Sequence, residues 1–255
     1  MEWKKSVECV ILKQTQIHQN LFDMTVQSAT IASHAIVGQF LHIKTSGGYL
    51  RRPISICDVM GDFVRFIYEV KGEGLLSLSK MQAGESINIL GPLGNGFDLS
   101  IEAKNPYIVG GGIGIFPLFY LAKQRLVKAV FGFRTRDLIC MEDEFKVICP
   151  EVSIATDDGS VGIHGNVCDV LNQKIKDGDI PDLIYVCGPL PMLKAICALA
   201  KENGIRAQVS LEERMACGIG ACLGCATKTK QEDGTEGYLH VCKNGPVFDA
   251  EKVIF

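Results

Sequence analysis

Over the first hundred residues the apolar positions come in short runs, rich in β-branched and aromatic residues and closed by turn residues. Residues 7–12, 22–26, 39–43, 54–58, 64–70 and 86–90 each read as a strand. Only 74–81 has room for a short helix. About six such strands predict a small closed β-barrel over residues 1–100. The pattern changes after Asn105-Pro106. An apolar strand at 107–109 meets a run of glycines and a helical stretch at 116–125. Strands at 128–133 and 152–155, a helix at 167–175, a strand at 183–186, a helix at 191–202 and a strand at 207–210 follow. Such alternation predicts a parallel α/β sheet over 101–210. From Leu211 to the end, 211–255, the chain reads as a small Gly/Cys-rich unit. The expected fold class is therefore multidomain: β-barrel, α/β domain and cysteine-rich C-terminal domain.

Composition narrows the function classes. In 255 residues, 26 Lys and Arg face 29 Asp and Glu, giving a net charge of −3. That balance lacks the basic footprint of a nucleic-acid binder. The start of the chain has no apolar core or small-residue cleavage pattern, and the longest apolar run, at 107–122, is broken by four glycines and Pro117. A cytoplasmic protein without a membrane partner is the expectation. Eleven cysteines then matter, because reduced thiols there bind metal, react or pack rather than cross-link.

Cys217, Cys222, Cys225 and Cys242 are spaced C-x4-C-x2-C with the fourth after sixteen more residues. The opening spacing is the plant-type ferredoxin pattern for a [2Fe–2S] cluster. Four thiolates supply two ligands to each iron, and the intervening Gly218, Gly220, Ala221 and Gly224 let the backbone wrap closely. A four-cysteine zinc site and a redox Cys-x-x-Cys are the alternatives, though the latter normally opens a helix. Cys9, Cys57, Cys140, Cys149, Cys168 and Cys197 read as small buried apolar residues.

Two loops of the α/β segment point to a dinucleotide. Gly110 to Gly114 follow a strand and open a helix, so Gly111, Gly112 and Gly114 could admit a pyrophosphate. Pro117 stands where the Rossmann fingerprint needs its third glycine, so the loop is not that motif. Cys187-Gly188-Pro189 ends another strand and would face the nicotinamide from the same sheet edge. Core packing is the competing reading for Cys187, and a plain tight turn that for the glycines. In the barrel, Arg52 and Ser55 could grip a phosphate, as could Gly72-Glu73-Gly74 at a helix start.

In this order the motifs resemble the ferredoxin–NAD(P)+ reductase superfamily. Segments 210–225 and 240–248 are similar to those of the electron-transfer subunits of class 1B dihydroorotate dehydrogenases, and the likeness covers essentially the whole chain. It implies FAD on the barrel, with contacts at Arg52, Pro53, Ile54 and Ser55. Further contacts fall at Ile67, Tyr68 and Glu69, where the strand backbone passes the flavin ring. Gly74 and Leu75 would meet the FAD phosphates. The family commonly has threonine in place of Leu75, so only a backbone role is implied there. The four cysteines match as cluster ligands. Cys217 departs from the transhydrogenase small subunits, which have another residue type there. The resemblance also implies an FMN-containing catalytic partner, in a heterotetramer of two subunits of each kind. Electrons would pass from that FMN through [2Fe–2S] and FAD to NAD+ as dihydroorotate is oxidised in pyrimidine biosynthesis, with the cysteine-rich unit at the subunit interface. It favours NAD, although Arg134 and Arg136 could meet a 2′-phosphate. No side chain is assigned as acid or base, and His18, His34, His42, His164 and His240 read as structural or exposed. A flavin/iron–sulfur subunit of a hydrogenase, sulfide reductase or transhydrogenase complex is the alternative. A redox sensor or zinc-stabilised binder is the non-enzymatic rival.

Overall fold

The structure, a computed structural model, describes residues 6–46 and 48–255. The chain divides into two compact units. One holds the chain up to Gly96 together with Glu212–Thr227 and Tyr238–Pro246. The other holds Phe97–Leu211, Lys228–Gly237 and Val247–Phe255.

The first unit is built on seven strands: β1 (Ser6–His18), β2 (Leu21–Gln27), β3 (Phe40–Ile43), β4 (Arg52–Ser55), β5 (Asp58–Met60), β6 (Phe63–Glu69) and β7 (Ser86–Leu93). Helices α1 (Ala29–Ala32) and α2 (Gly72–Leu78) complete it. The strand order is β4-β3-β7-β1-β2-β6-β5, all antiparallel. Alternation does the sorting: in β1, Cys9 and Ile11 are fully buried while Val10 and Leu12 face out. Met24, Val26, Leu41, Ile43, Val64 and Phe66 fill the interior.

The sequence expects one strand at 54–58; the structure gives two, β4 and β5. Between them Ile56 donates its N–H to Gln39 O (3.0 Å) and Cys57 donates to Arg65 O (2.9 Å). The chain thus crosses from the β3 side to the β6 side, with both side chains fully buried, and this crossing closes the barrel.

The second unit is an α/β sheet: β8 (Pro106–Gly111), α3 (Phe116–Gln124), β9 (Lys128–Phe133), α4 (Glu142–Ile148), β10 (Val152–Thr156), β11 (Ile163–His164), α5 (Val167–Lys176), β12 (Leu183–Cys187), α6 (Leu190–Glu202) and β13 (Arg206–Ser210). The strands are parallel, and β12 and β8 are central. Both carry continuous buried runs, as a sheet covered on two faces requires. A capping box, Asn166 with Asp169, starts α5, and Pro117 occupies the first turn of α3.

The last residues supply the hairpin β14 (Ala226–Lys230) and β15 (Glu236–His240), the short α7 (Val241–Asn244), and β16 (Val247–Asp249). β16 adds to the α/β sheet, antiparallel to β13 with Val209 opposite Phe248.

One polar cluster braces the start of the central strands. Asp179 accepts from Lys128 Nζ (2.7 Å), Asn105 Nδ2 (2.9 Å) and Tyr107 Oη (2.5 Å). Burial alone would raise its pKa, but these hydrogen bonds and the Lys128 charge outweigh that and hold the carboxyl well below its usual range. Because the folded value is depressed, this stabilisation is present above the ordinary carboxylate pKa and is lost as pH falls through the folded one. Asp179→Ala leaves three donors without an acceptor, so it should cost about 1–3 kcal/mol at neutral pH. Thermal melts across the acid range check this; the variant should also lose stability less steeply than the parent as pH falls.

Candidate functional site

The candidate residues for the cluster and the flavin lie in the first unit. The loop after Leu211 carries Cys217, Cys222 and Cys225, α7 carries Cys242, and the four come together in pairs. Cys217 Sγ lies 3.4 Å from Cys222 Sγ, and Cys242 interacts with Cys225. The loop makes this possible by turning twice through left-handed backbone, at Gly218 (φ +72°) and Gly220 (φ +80°). Those turns aim N–H groups at sulfur: Gly220 N–H to Cys242 Sγ (3.1 Å), Ala221 N–H to Cys217 Sγ (3.3 Å) and Ile219 N–H to Cys217 Sγ (3.5 Å).

The electrostatics differ within the set. Burial raises the Cys217 pKa, but the N–H of Ile219, the Cys222 thiol and the N–H groups of Cys222 and Ala221 win and bring it to about 6. Burial first, then the neighbouring Cys225 sulfur, pushes Cys242 up to about 12. The N–H groups aimed at Cys217 thus favour its thiolate form. Among the described residues no three His, Cys, Asp or Glu side chains converge as a single-ion site. Cys217 beside Cys222 and Cys225 beside Cys242 matches the two-and-two division by which a two-iron cluster takes its thiolates. Cys222 and Cys225 lie in a turn before β14 and open no helix, which removes the thioredoxin-like alternative.

The flavin candidates include a polar cradle. A Cβ at Gly74 would stand 2.7 Å from Thr45 Oγ1, 2.9 Å from Arg52 Nη2 and 3.0 Å from Arg52 Nε. Arg52 opens β4 and Gly74 lies in the first turn of α2. Thr45 Oγ1 is buried with no hydrogen-bond partner in the protein. A guanidinium, a partnerless buried hydroxyl and a residue without a side chain fit one phosphate group of a dinucleotide such as FAD. Sequence reading missed Thr45; its only signal is a place just past β3, whose last residue, Ile43, pairs with Arg52.

Pro53, Ile54 and Ser55 follow on β4, all half-buried. Leu75 is buried beside Gly74. On β6, Ile67 and Tyr68 are buried and Glu69 pairs with Lys71. Tyr68 stacks on Phe22 and donates its hydroxyl to Gln14 Oε1 (2.8 Å), while Gln14 Nε2 donates to the carbonyls of Ser79 (3.0 Å) and Met81 (2.8 Å). Its side chain is therefore committed to the barrel. β5 pairs with β6 only as far as Arg65, so the backbone of Phe66–Glu69 keeps one edge without a ladder partner among the described residues.

In the second unit, the two dinucleotide loops meet at the carboxyl ends of neighbouring strands, Cys187 lying opposite Gly110. The chain runs outward from β8 to β9 on one side and from β12 to β13 on the other, so this is the switch point of the sheet. A Cβ at Gly114 would lie 2.5 Å from Cys187 O and 2.6 Å from Gly188 Cα; one at Gly111 would lie 2.6 Å from Met192 Sδ. Gly112 takes a left-handed turn (φ +53°). Cys187 is buried, so only its backbone borders the loop surface. Gly114→Ala should push the loops apart, because both colliding atoms are backbone. We expect KM for NADH to rise at least several-fold with flavin content unchanged, measured by steady-state diaphorase kinetics; an unaltered KM would contradict the placement. Of the six other cysteines, Cys9, Cys57 and Cys149 are buried as expected, whereas Cys140, Cys168 and Cys197 are only half-buried.

Barrel, switch-point sheet and paired thiols together define a ferredoxin-reductase-like oxidoreductase fold carrying an iron–sulfur segment. Residues 212–254 match the iron–sulfur cluster binding domain of dihydroorotate dehydrogenase B. The chain is 40% identical over 259 residues to the dihydroorotate dehydrogenase B (NAD(+)) electron transfer subunit of Caldanaerobacter subterraneus subsp. tengcongensis, each chain being covered in full. It is 41% identical over 262 residues to the subunit of that name from Enterococcus faecalis, covering 98% of this chain and 99% of the relative. A solved structure of an NADH-dependent reduced ferredoxin–NADP oxidoreductase superposes with a TM-score of 0.84 at 29% identity, over 98% of this chain and 91% of that one. The chain belongs to the family of dihydroorotate dehydrogenase B (NAD+) electron-transfer subunits.

Proposed function

We propose that this chain is the NAD-linked electron-transfer subunit of a dihydroorotate dehydrogenase, taking electrons from the FMN of a catalytic partner and delivering them to NAD+. The observation that carries this is the two-by-two thiol arrangement in the same unit as the Arg52–Thr45–Gly74 cradle. When bound, a [2Fe–2S] cluster supplies one-electron transfer, FAD exchanges one or two electrons, and nicotinamide takes a hydride.

The protein's own residues bind and orient. Cys217, Cys222, Cys225 and Cys242 hold the irons, and the N–H groups of Ile219, Gly220 and Ala221 stabilise charge on sulfur. Arg52 and Thr45 take the FAD phosphates over Gly74 and the Leu75 backbone. Pro53, Ile54 and Ser55 flank the flavin, and the free backbone edge of Ile67, Tyr68 and Glu69 hydrogen-bonds to it. Gly111, Gly112, Gly114 and Gly188 admit NAD, with Cys187 behind them. Three cofactor segments, 1–100, 101–210 and 211–255, divide the work.

Dihydroorotate binds the partner, two of each subunit form a heterotetramer, and the complex works in the cytoplasm on pyrimidine biosynthesis. No helix among the described residues is long and apolar enough to cross a membrane. The test is capture of the native partner by the tagged chain, followed by an assay for dihydroorotate-dependent NAD+ reduction. Co-purification of an FMN protein with that activity is the expected result. A hydrogenase or sulfide reductase partner without it would overturn the assignment.

A further inference from the structure

His42 is the most deeply buried polar side chain of the barrel unit that its own structure leaves unpartnered. It lies in β3, is fully buried, and neither Nδ1 nor Nε2 has a hydrogen-bond partner in the protein. A neutral imidazole carries one N–H donor and one acceptor. Leaving both unmet in the interior is unfavourable, because each forfeits its hydrogen bond to water with nothing in return.

The surroundings show where a partner lies. Across the β3–β4 ladder His42 stands opposite Pro53, so the two side chains share a face, and proline brings no N–H. The β7 neighbour in register is Leu90. The cysteine loop also comes close: a Cβ at Gly218 would lie 2.5 Å from His42 Nδ1 and 3.1 Å from its Cε1. Gly218 directly follows Cys217. The loop therefore approaches the imidazole edge so closely that only glycine fits between them.

We propose that His42 is a hydrogen-bond donor to the [2Fe–2S] cluster, giving its N–H to a sulfur of the half held by Cys217 and Cys222. The inference rests on the cluster reading above. Burial, then the Arg51 charge, lowers the His42 pKa, which favours the neutral ring with its single N–H. Arg51 Nη1 also donates to His42 O (3.1 Å), fixing the strand. A donor to sulfur favours the reduced, more negative cluster. His42 thus raises the cluster's potential. The same contact gives a reason for Gly218 independent of backbone conformation.

The test is an EPR-monitored redox titration of the complex carrying His42→Leu or His42→Gln. His42→Leu removes the donor at similar volume; His42→Gln keeps one. Loss of the donor should shift the cluster's reduction equilibrium about tenfold toward oxidised, a ~59 mV fall for one electron, with the flavin potential unmoved. His42→Gln should recover most of that shift. Equal shifts in both variants, or a moved flavin with an unmoved cluster, would overturn the role of His42 while leaving the cluster reading intact. No cluster signal in the unsubstituted complex would sink both. Should His42→Leu fail to fold, pulsed EPR of the unsubstituted reduced complex with 15N-labelled histidine decides. A weak histidine-nitrogen coupling that disappears in His42→Gln supports the proposal, and no such coupling refutes it.

Discussion

Cys225→Ser is expected to abolish dihydroorotate-dependent NAD+ reduction while leaving NADH able to reduce the bound flavin. Cys225 is buried and interacts with Cys242, so it anchors one of the two thiol pairs. Serine keeps nearly the same volume, and the loop backbone, including the N–H groups aimed at Cys217 and Cys242, does not depend on that sulfur. What is lost is a soft thiolate, and a hydroxyl with a far higher pKa is a poor substitute on iron. The barrel cradle and the glycine loops are untouched, so diaphorase activity with an artificial acceptor should persist near the parent level. Iron analysis, flavin content and the two assays on one preparation separate the outcomes. Coupled turnover surviving with iron lost would show that the electrons take another route.

Removing the phosphate grip should be nearly as severe. Arg52→Ala takes away the guanidinium that borders Gly74, and Gly74→Val fills the same space from the other side, its Cβ alone reaching within 3 Å of Thr45 and Arg52. A charge-assisted hydrogen bond contributes about 1.5–3 kcal/mol, so Arg52→Ala should weaken FAD binding roughly ten- to a hundred-fold. Gly74→Val should purify with much less flavin, because its branched side chain fills the space between Thr45 and Arg52 that a phosphate would take. Fluorescence titration of the flavin-stripped variants with FAD gives both numbers. If Gly74→Val bound FAD as tightly as the parent, the cradle would hold something else. Thr45→Val offers a gentler check on the same place, since its hydroxyl has no other partner.

Much of this was legible in the sequence because two kinds of local signal agreed. Short β-branched and aromatic runs with turn punctuation marked the barrel, and strands alternating with helical stretches marked the parallel sheet. The cysteine spacing set which thiols could meet, and the glycines between them set the turns that aim N–H groups at sulfur. The misses have physical causes. The break at Ile56 and Cys57 is invisible to periodicity, because both residues are apolar and only their N–H partners, Gln39 and Arg65, show that the chain changes sides. β16 is three residues long, and its membership of the α/β sheet depends on pairing with β13 some forty residues earlier. Helix α4 starts at Glu142 behind a left-handed Met141, without a capping side chain to announce it. Thr45 and His42 could not be chosen from the sequence, because what distinguishes them is the absence of a polar partner after folding. For His42 the sequence reading stopped at a dispersed, structural histidine, and the close approach of Gly218 is what changes that.

The most direct test of the central claim is reduction of the anaerobically purified full chain by NADH, followed by visible and EPR spectroscopy with iron and flavin analysis. The account predicts one FAD and two irons per chain, bleaching of flavin absorption, and an EPR signal of a reduced [2Fe–2S] cluster that Cys225→Ser lacks. A colourless chain, or one that holds zinc on its four cysteines and no flavin, would contradict it.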